Sequence, residues 1–144
     1  MTRIDFYVLP EDGSGDGVAL TLCKLCDKAT QAGLKVYAYV QDEELASNLD
    51  DVLWTFRQGS FISHERYDGE ALDEPLPMVL IGDVEPPDSH TGVLLNLAPE
   101  VPPFFTRFDR VLELVAGDSE ARAQSRERFK FYRDHGYELK THKL

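Results

Sequence analysis

In RIDFYVL, residues 3–9, apolar and polar positions alternate with the period of a strand. Past a glycine-rich turn at 13–17 the apolar spacing lengthens to that of a helix, over about 18–32, which Gly33 stops. KVYAYV, residues 35–40, alternates again and predicts a second strand. Asp42 is placed to cap a helix running to about Phe56, with Glu43 and Glu44 favourable against the positive end of its dipole. Leu45, Leu49, Val52, Leu53 and Phe56 follow the spacing of one buried stripe on that helix. Residues 57–76 carry Gly59, Gly69 and Pro75 without clear period, predicting a long loop with one short strand around SFISH, 60–64. PMVLIG (77–82) and GVLLNLA (92–98) predict two apolar strands separated by a turn-rich stretch. Two helices are predicted to close the chain. One spans about 104–116, with Phe108, Val111, Leu112 and Val115 on one face, and the other about 119–134.

This order opens β-α-β-α and predicts an α/β fold: a mainly parallel, Rossmann-like sheet with helices on both faces, three layers in all. No internal repeat or low-complexity segment interrupts it, and 144 residues suit a single domain over 1–144. The eight or nine residues between PMVLIG and GVLLNLA are short for a parallel crossover, so strand order stays open.

The composition, 42% hydrophobic and 28% charged, is that of a globular protein. No apolar run approaches the roughly 18 residues of a membrane span, and the start lacks the pattern of a signal peptide, so a cytoplasmic location is expected. Cys23 and Cys26 form a C-x-x-C, but His64, His90, His135 and His142 have no spacing that completes a zinc site. The pair lies well inside a helix, where Leu22, Cys26 and Ala29 share a face, so a packing role is predicted and no metal. In PEDGSGDGV the glycines at 13, 15 and 17 satisfy neither dinucleotide nor P-loop spacing. Glu11, Asp12 and Asp16 would repel a phosphate, and no lysine is present to neutralise one, so no functional P-loop and no cofactor are predicted. No nucleophile elbow or H-E-x-x-H is present; Asp50 and Asp51 read as a solvated face and His64 as a loop or core residue. No catalytic residue is assigned.

Two features remain. Trp54, the single Trp, falls about 180° from Leu45 on the helical wheel, away from the buried stripe. Either the following loop folds back over it with Phe61, or it is a protein-binding hot spot. The second feature is charge. The chain carries -11 formally, yet residues 121–144 hold seven basic and three acidic side chains, a local +4, leaving eight against twenty-three, or -15, in the first 120. Taking Arg122 as zero on the closing helix, Arg126, Phe129, Lys130 and Arg133 all lie within about 80°. Like charges at i, i+4 weaken a helix slightly, which points to an anionic partner. Single-stranded nucleic acid could stack on Phe129, Phe131 and Tyr132, but a long polyanion would meet the remaining -15. A short acidic peptide fits within the patch.

The chain resembles the chi subunit of bacterial DNA polymerase III, a clamp-loader accessory protein. DFYVL (5–9), LDDVLW (49–54), SFISH (60–64) and above all SRERFKFYRDHGYEL (125–139) carry the resemblance, in order and over nearly the full length. It implies a nucleotide-binding-like fold without nucleotide chemistry and a non-enzymatic adaptor. The adaptor links the clamp loader to single-stranded-DNA-binding protein by binding that protein's acidic C-terminal tail. By resemblance Arg122, Arg126, Phe129, Lys130 and Arg133 form the tail site, with Val115 in its apolar floor. Trp54 and Phe61 match the surface for a second, psi-like clamp-loader subunit. Where familiar members carry Tyr and Lys, this chain has Phe129 and Arg122. Two other classes stay open: an enzyme or nucleotide-binding protein using the C-terminal edge of the sheet, and a direct single-stranded-DNA binder.

Overall fold

The structure is a computed structural model that describes residues 2–9, 15–55, 62–115 and 118–143, with backbone alone at 15–17. Among the described residues seven strands form one sheet: β1 (Arg3–Val8), β2 (Val36–Tyr39), β3 (His64–Tyr67), β4 (Val79–Gly82), β5 (Val93–Asn96), β6 (Arg110–Val115) and β7 (Leu139–Lys143). Their order is β3-β4-β2-β5-β6-β1-β7, and every pairing is parallel. Helices α1 (Gly15–Gln31) and α2 (Glu43–Thr55) cover one face and α3 (Ser119–Asp134) the other. The predicted three-layer α/β fold is therefore present.

Central strands such as VLIG and VLLN are buried along their whole length, because parallel strands under helices on both sides have no solvent face. Under α1 and α2 lie Val36, Ala38, Val79, Ile81, Val93, Leu95, Leu112 and Leu114. Their neighbours along each strand, Tyr37, Leu80, Leu94, Val111 and Val115, turn to the α3 side with Ile4 and Phe6. Both thiols of the C-x-x-C are buried; burial pushes Cys23 up to about 12 and raises Cys26 as well, which keeps both protonated and inert.

The helix ends follow the sequence closely. The Asp42 carboxylate accepts from the Glu44 N–H at 3.0 Å and the Asp118 carboxylate from the Ala121 N–H at 2.7 Å, each capping its helix. At the far ends, Gly33 (φ 81°) and Gly136 (φ 80°) take the left-handed conformation that lets Leu34 and Tyr137 N–H reach back to Ala29 and Tyr132 carbonyls.

Three predictions are corrected. The helix placed over about 104–116 is instead a 3₁₀ turn, Phe105–Arg107, followed by strand β6. Phe108, Val111, Leu112 and Val115 match a helical face because, Glu113 apart, every position from Val111 to Val115 is apolar and fits either period; in the strand Leu112 and Leu114 point opposite to Val111 and Val115, and both faces are filled. The short strand placed at SFISH lies later, at His64–Tyr67, and the closing LKTHK adds a seventh strand that the prediction lacked. The short connection between β4 and β5 is compatible with parallel strands because the two are not neighbours; β2 lies between them. Within that connection His90 is fully buried, accepting at Nδ1 from the Ser89 hydroxyl (2.8 Å) and donating from Nε2 to the Pro77 carbonyl (2.7 Å). Burial holds its pKa below the usual histidine value, which keeps the ring neutral.

Candidate functional site

Helix α3 brings the predicted basic residues together on one exposed flank. Arg126 and Lys130 are exposed, Arg122 is half-buried, and Arg133 is exposed with Nη2 3.3 Å from Asp134. Phe129 is half-buried with its ring 5.4 Å from Phe6 of β1, so it joins the charged flank to the apolar layer beneath. Val115, at the end of β6, is 3% exposed and supports this layer from below.

What fixes the rotation of α3 is a polar knot that the helical wheel alone did not indicate. Arg128 points inward, about 120° from Arg122 on the wheel, and is 5% exposed. Its Nε donates to Glu113 Oε1 at 2.9 Å and its Nη1 to the Pro99 carbonyl at 3.0 Å. Glu113 lies in β6, fully buried, and also accepts from the Tyr132 hydroxyl (2.6 Å) and from Asn96 Nδ2 (3.0 and 2.9 Å). Burial raises the Glu113 carboxyl pKa against the opposing pull of Arg128, Tyr132 and Asn96, and burial likewise raises the Tyr132 phenol. No buried side-chain donor of this knot is left without a partner, so turning the helix would strand a buried charge. The signal in the sequence was a lone Glu inside the apolar run RVLELV, but its partner is set by tertiary packing.

Trp54 lies in the other layer, at the end of α2, and is 61% exposed. Its indole meets the His64 ring edge-on, with centroids 4.9 Å apart. His64 is closed off from solvent: Nδ1 donates to the Ile62 carbonyl at 2.7 Å, and Nε2 lies 3.2 Å from Asp50 Oδ1. Asp50 is thus a partner of His64 rather than only part of a solvated face. Phe61 and Phe56 lie outside the described residues, as do Gly13 and Ser14 of the GSGDG turn; its last three residues are not turn but the first of helix α1, which starts at Gly15 rather than at about 18.

At the C-terminal edge of the sheet, where α/β folds commonly take nucleotides, a cleft of about 550 Å³ is lined by Asp42, Glu44, Asp118, Glu120 and Arg128 among apolar residues. Among the described residues the one cation of this lining is already held by Glu113, and the four carboxylates oppose a phosphate. Among the described residues no group of His, Cys, Asp and Glu is arranged to hold a metal ion, and no helix is long and apolar enough to cross a membrane.

Comparison with known proteins places this arrangement. Residues 1–140 match the family described as "DNA polymerase III chi subunit, HolC". The chain belongs to the DNA polymerase III chi subunit family. Among chi relatives, that of Pseudomonas aeruginosa is 40% identical over 144 residues, covering 100% of this chain and 98% of its own. The chi subunit of Escherichia coli is 28% identical, covering 98% and 97%. The fold is shared more widely than the family. The crystal structure of T4 UvsW matches 99% of this chain with a TM-score of 0.72 at 8% identity, a likeness of fold alone, and the chain spans 41% of that protein. In this chi-family chain, then, the buried knot and the exposed basic flank are two sides of one helix.

Proposed function

We propose that this chi-family chain is a non-enzymatic adaptor in the cytoplasm that links the clamp loader to single-stranded-DNA-binding protein. It does so by receiving the acidic C-terminal tail of that protein on the exposed flank of α3. The observation that carries this reading is the separation of charge on one helix: Arg128 is locked inward on Glu113 while Arg122, Arg126, Lys130 and Arg133 lie on the other side. A tail ending in Asp residues and a terminal Phe offers several carboxylates and one ring. Arg126 and Lys130 hold the carboxylates through charge-assisted hydrogen bonds, and the ring packs by Phe129 above the Val115 layer. Arg122 and Arg133 add to the field. Trp54, on the opposite layer, is with Phe61 the contact for a psi-like clamp-loader subunit, so both partners bind at once.

The test is titration of the protein with a labelled acidic C-terminal peptide, an unstructured DNA oligonucleotide and ATP. Micromolar peptide binding that weakens as salt rises is expected, with no binding of the other two. Arg126→Glu should abolish peptide binding without unfolding the protein, and Lys130→Ala should weaken it less, since an ammonium makes a point contact where guanidinium can make two parallel bonds. Unchanged affinity in Arg126→Glu at moderate salt would place the tail site elsewhere.

A further inference from the structure

The partners proposed for the tail all lie on α3 and β6, yet α3 lies over a third strand. Register puts Val8 of β1 beside Val115 of β6, and Lys143 of β7 beside Val8, so the three side chains form a row on the α3 face. Strand spacing of about 4.8 Å sets the Lys143 and Val115 backbones roughly 10 Å apart across that row. Val115 is buried, whereas Val8 is half-buried and packs against the same apolar cluster as Phe129. The accessible part of the floor is therefore Val8. Beyond it Lys143 is exposed at the edge of the sheet, since β7 is the last strand in the order. Leu139, two steps of alternation back along β7, packs into the same cluster and confirms which face this row occupies.

We infer that the anionic peptide site is a groove with two walls, Arg126 and Phe129 of α3 on one side and Lys143 of β7 on the other, floored by Val8. This rests on the tail-binding reading of α3 and extends it to a strand. A peptide carrying carboxylates on both sides of an extended backbone can satisfy both walls at once, while its apolar end meets Val8 and Phe129. A single helical flank would hold carboxylates on one side only. Extended backbone alternates its side chains, so the two-walled groove favours acidic residues in succession over a single acidic group.

Lys140 supplies a matched control. It lies on the same strand with the same charge and is also exposed, but it pairs with Asp5 and so faces the α1 side of the sheet. Lys143→Ala and Lys140→Ala change net charge equally, so a long-range field effect moves both alike. Titrated with the labelled acidic peptide at low salt, Lys143→Ala should bind roughly three- to tenfold more weakly, and Lys140→Ala within about twofold of the unmodified protein. Val8→Thr, nearly isosteric, should weaken binding of the peptide with its terminal Phe but not of the same peptide lacking it. Equal effects of the two lysine variants, or none from Lys143→Ala, would overturn the inference. Arg126→Glu separates the two levels: if it abolishes binding while Lys143→Ala does not weaken it, the tail site stands and β7 is no part of it. If Arg126→Glu leaves binding intact, the reading of α3 itself fails.

Discussion

Trp54 shows how much a single side chain's exposure decides. A large aromatic on a helix ordinarily belongs to the core, and truncating it there costs roughly 3–5 kcal/mol. At 61% exposure, with His64 against one edge, the indole leaves most of its area to solvent. Trp54→Ala should therefore lower unfolding free energy far less than that core value in urea denaturation. Its binding to a psi-like subunit should fall by tenfold or more if the ring is the anchor proposed here. The wheel already placed Trp54 away from the stripe. What it could not supply was His64, whose closed environment and contact with Asp50 depend on strand β3 lying beside α2.

At the scale of the element, α3 is an amphipathic helix whose inner face is polar as well as apolar. The usual stripe is replaced by Ser125, Arg128 and Tyr132, the buried residues of the helix, and two of them converge on Glu113. Removing one partner of a buried pair leaves a charge without compensation, which costs roughly 3–5 kcal/mol. Arg128→Met should lose stability on that scale in chemical denaturation, and adding Glu113→Gln should return part of it. The same double variant should bind the acidic peptide more weakly than its stability alone accounts for, because nothing then fixes the rotation that presents Arg126. The outer flank of α3 was legible because helical spacing alone gathers Arg122, Arg126, Phe129, Lys130 and Arg133 on one side. The region just before it was not. An apolar run from Phe108 to Val115 satisfies a helix and a doubly buried strand equally well, and only the neighbouring strands β1 and β5 decide between them. LKTHK was harder still, since an edge strand with Lys140, Thr141 and Lys143 exposed carries little apolar alternation to read.

For the molecule as a whole, stability near neutral pH should carry the mark of His90. Its folded pKa is depressed by burial, while in the unfolded chain it titrates near the ordinary value of about 6.5. The unfolded state therefore binds the proton first. The associated stability is fully present above about pH 6.5 and falls as pH drops below it, by at most about 1.4 kcal/mol per pH unit until the folded pKa is reached. His90→Gln keeps a donor for the Pro77 carbonyl and an acceptor for Ser89 but has no titration. Between pH 7 and 5.5 the unfolding free energy of the parent should fall more steeply than that of the variant; parallel curves would remove His90 from the account. Comparing the two isolates this histidine, because every other titrating group, Asp5 and Glu113 included, is common to both.

Strand β1 lies between β6 and β7, and its Asp5 is hydrogen-bonded to His142 across a separation of 137 residues. A ribosome that has released the first hundred residues has made β2, β3, β4 and β5, which already neighbour one another, but β1 has neither of its partners. Pairings this distant in sequence close late and slowly, after the loop entropy between them has been overcome. The half of the sheet that supports α3 is thus the last to assemble. A chain still being synthesised offers no finished basic flank, so it cannot compete with completed copies for the acidic partner proposed above.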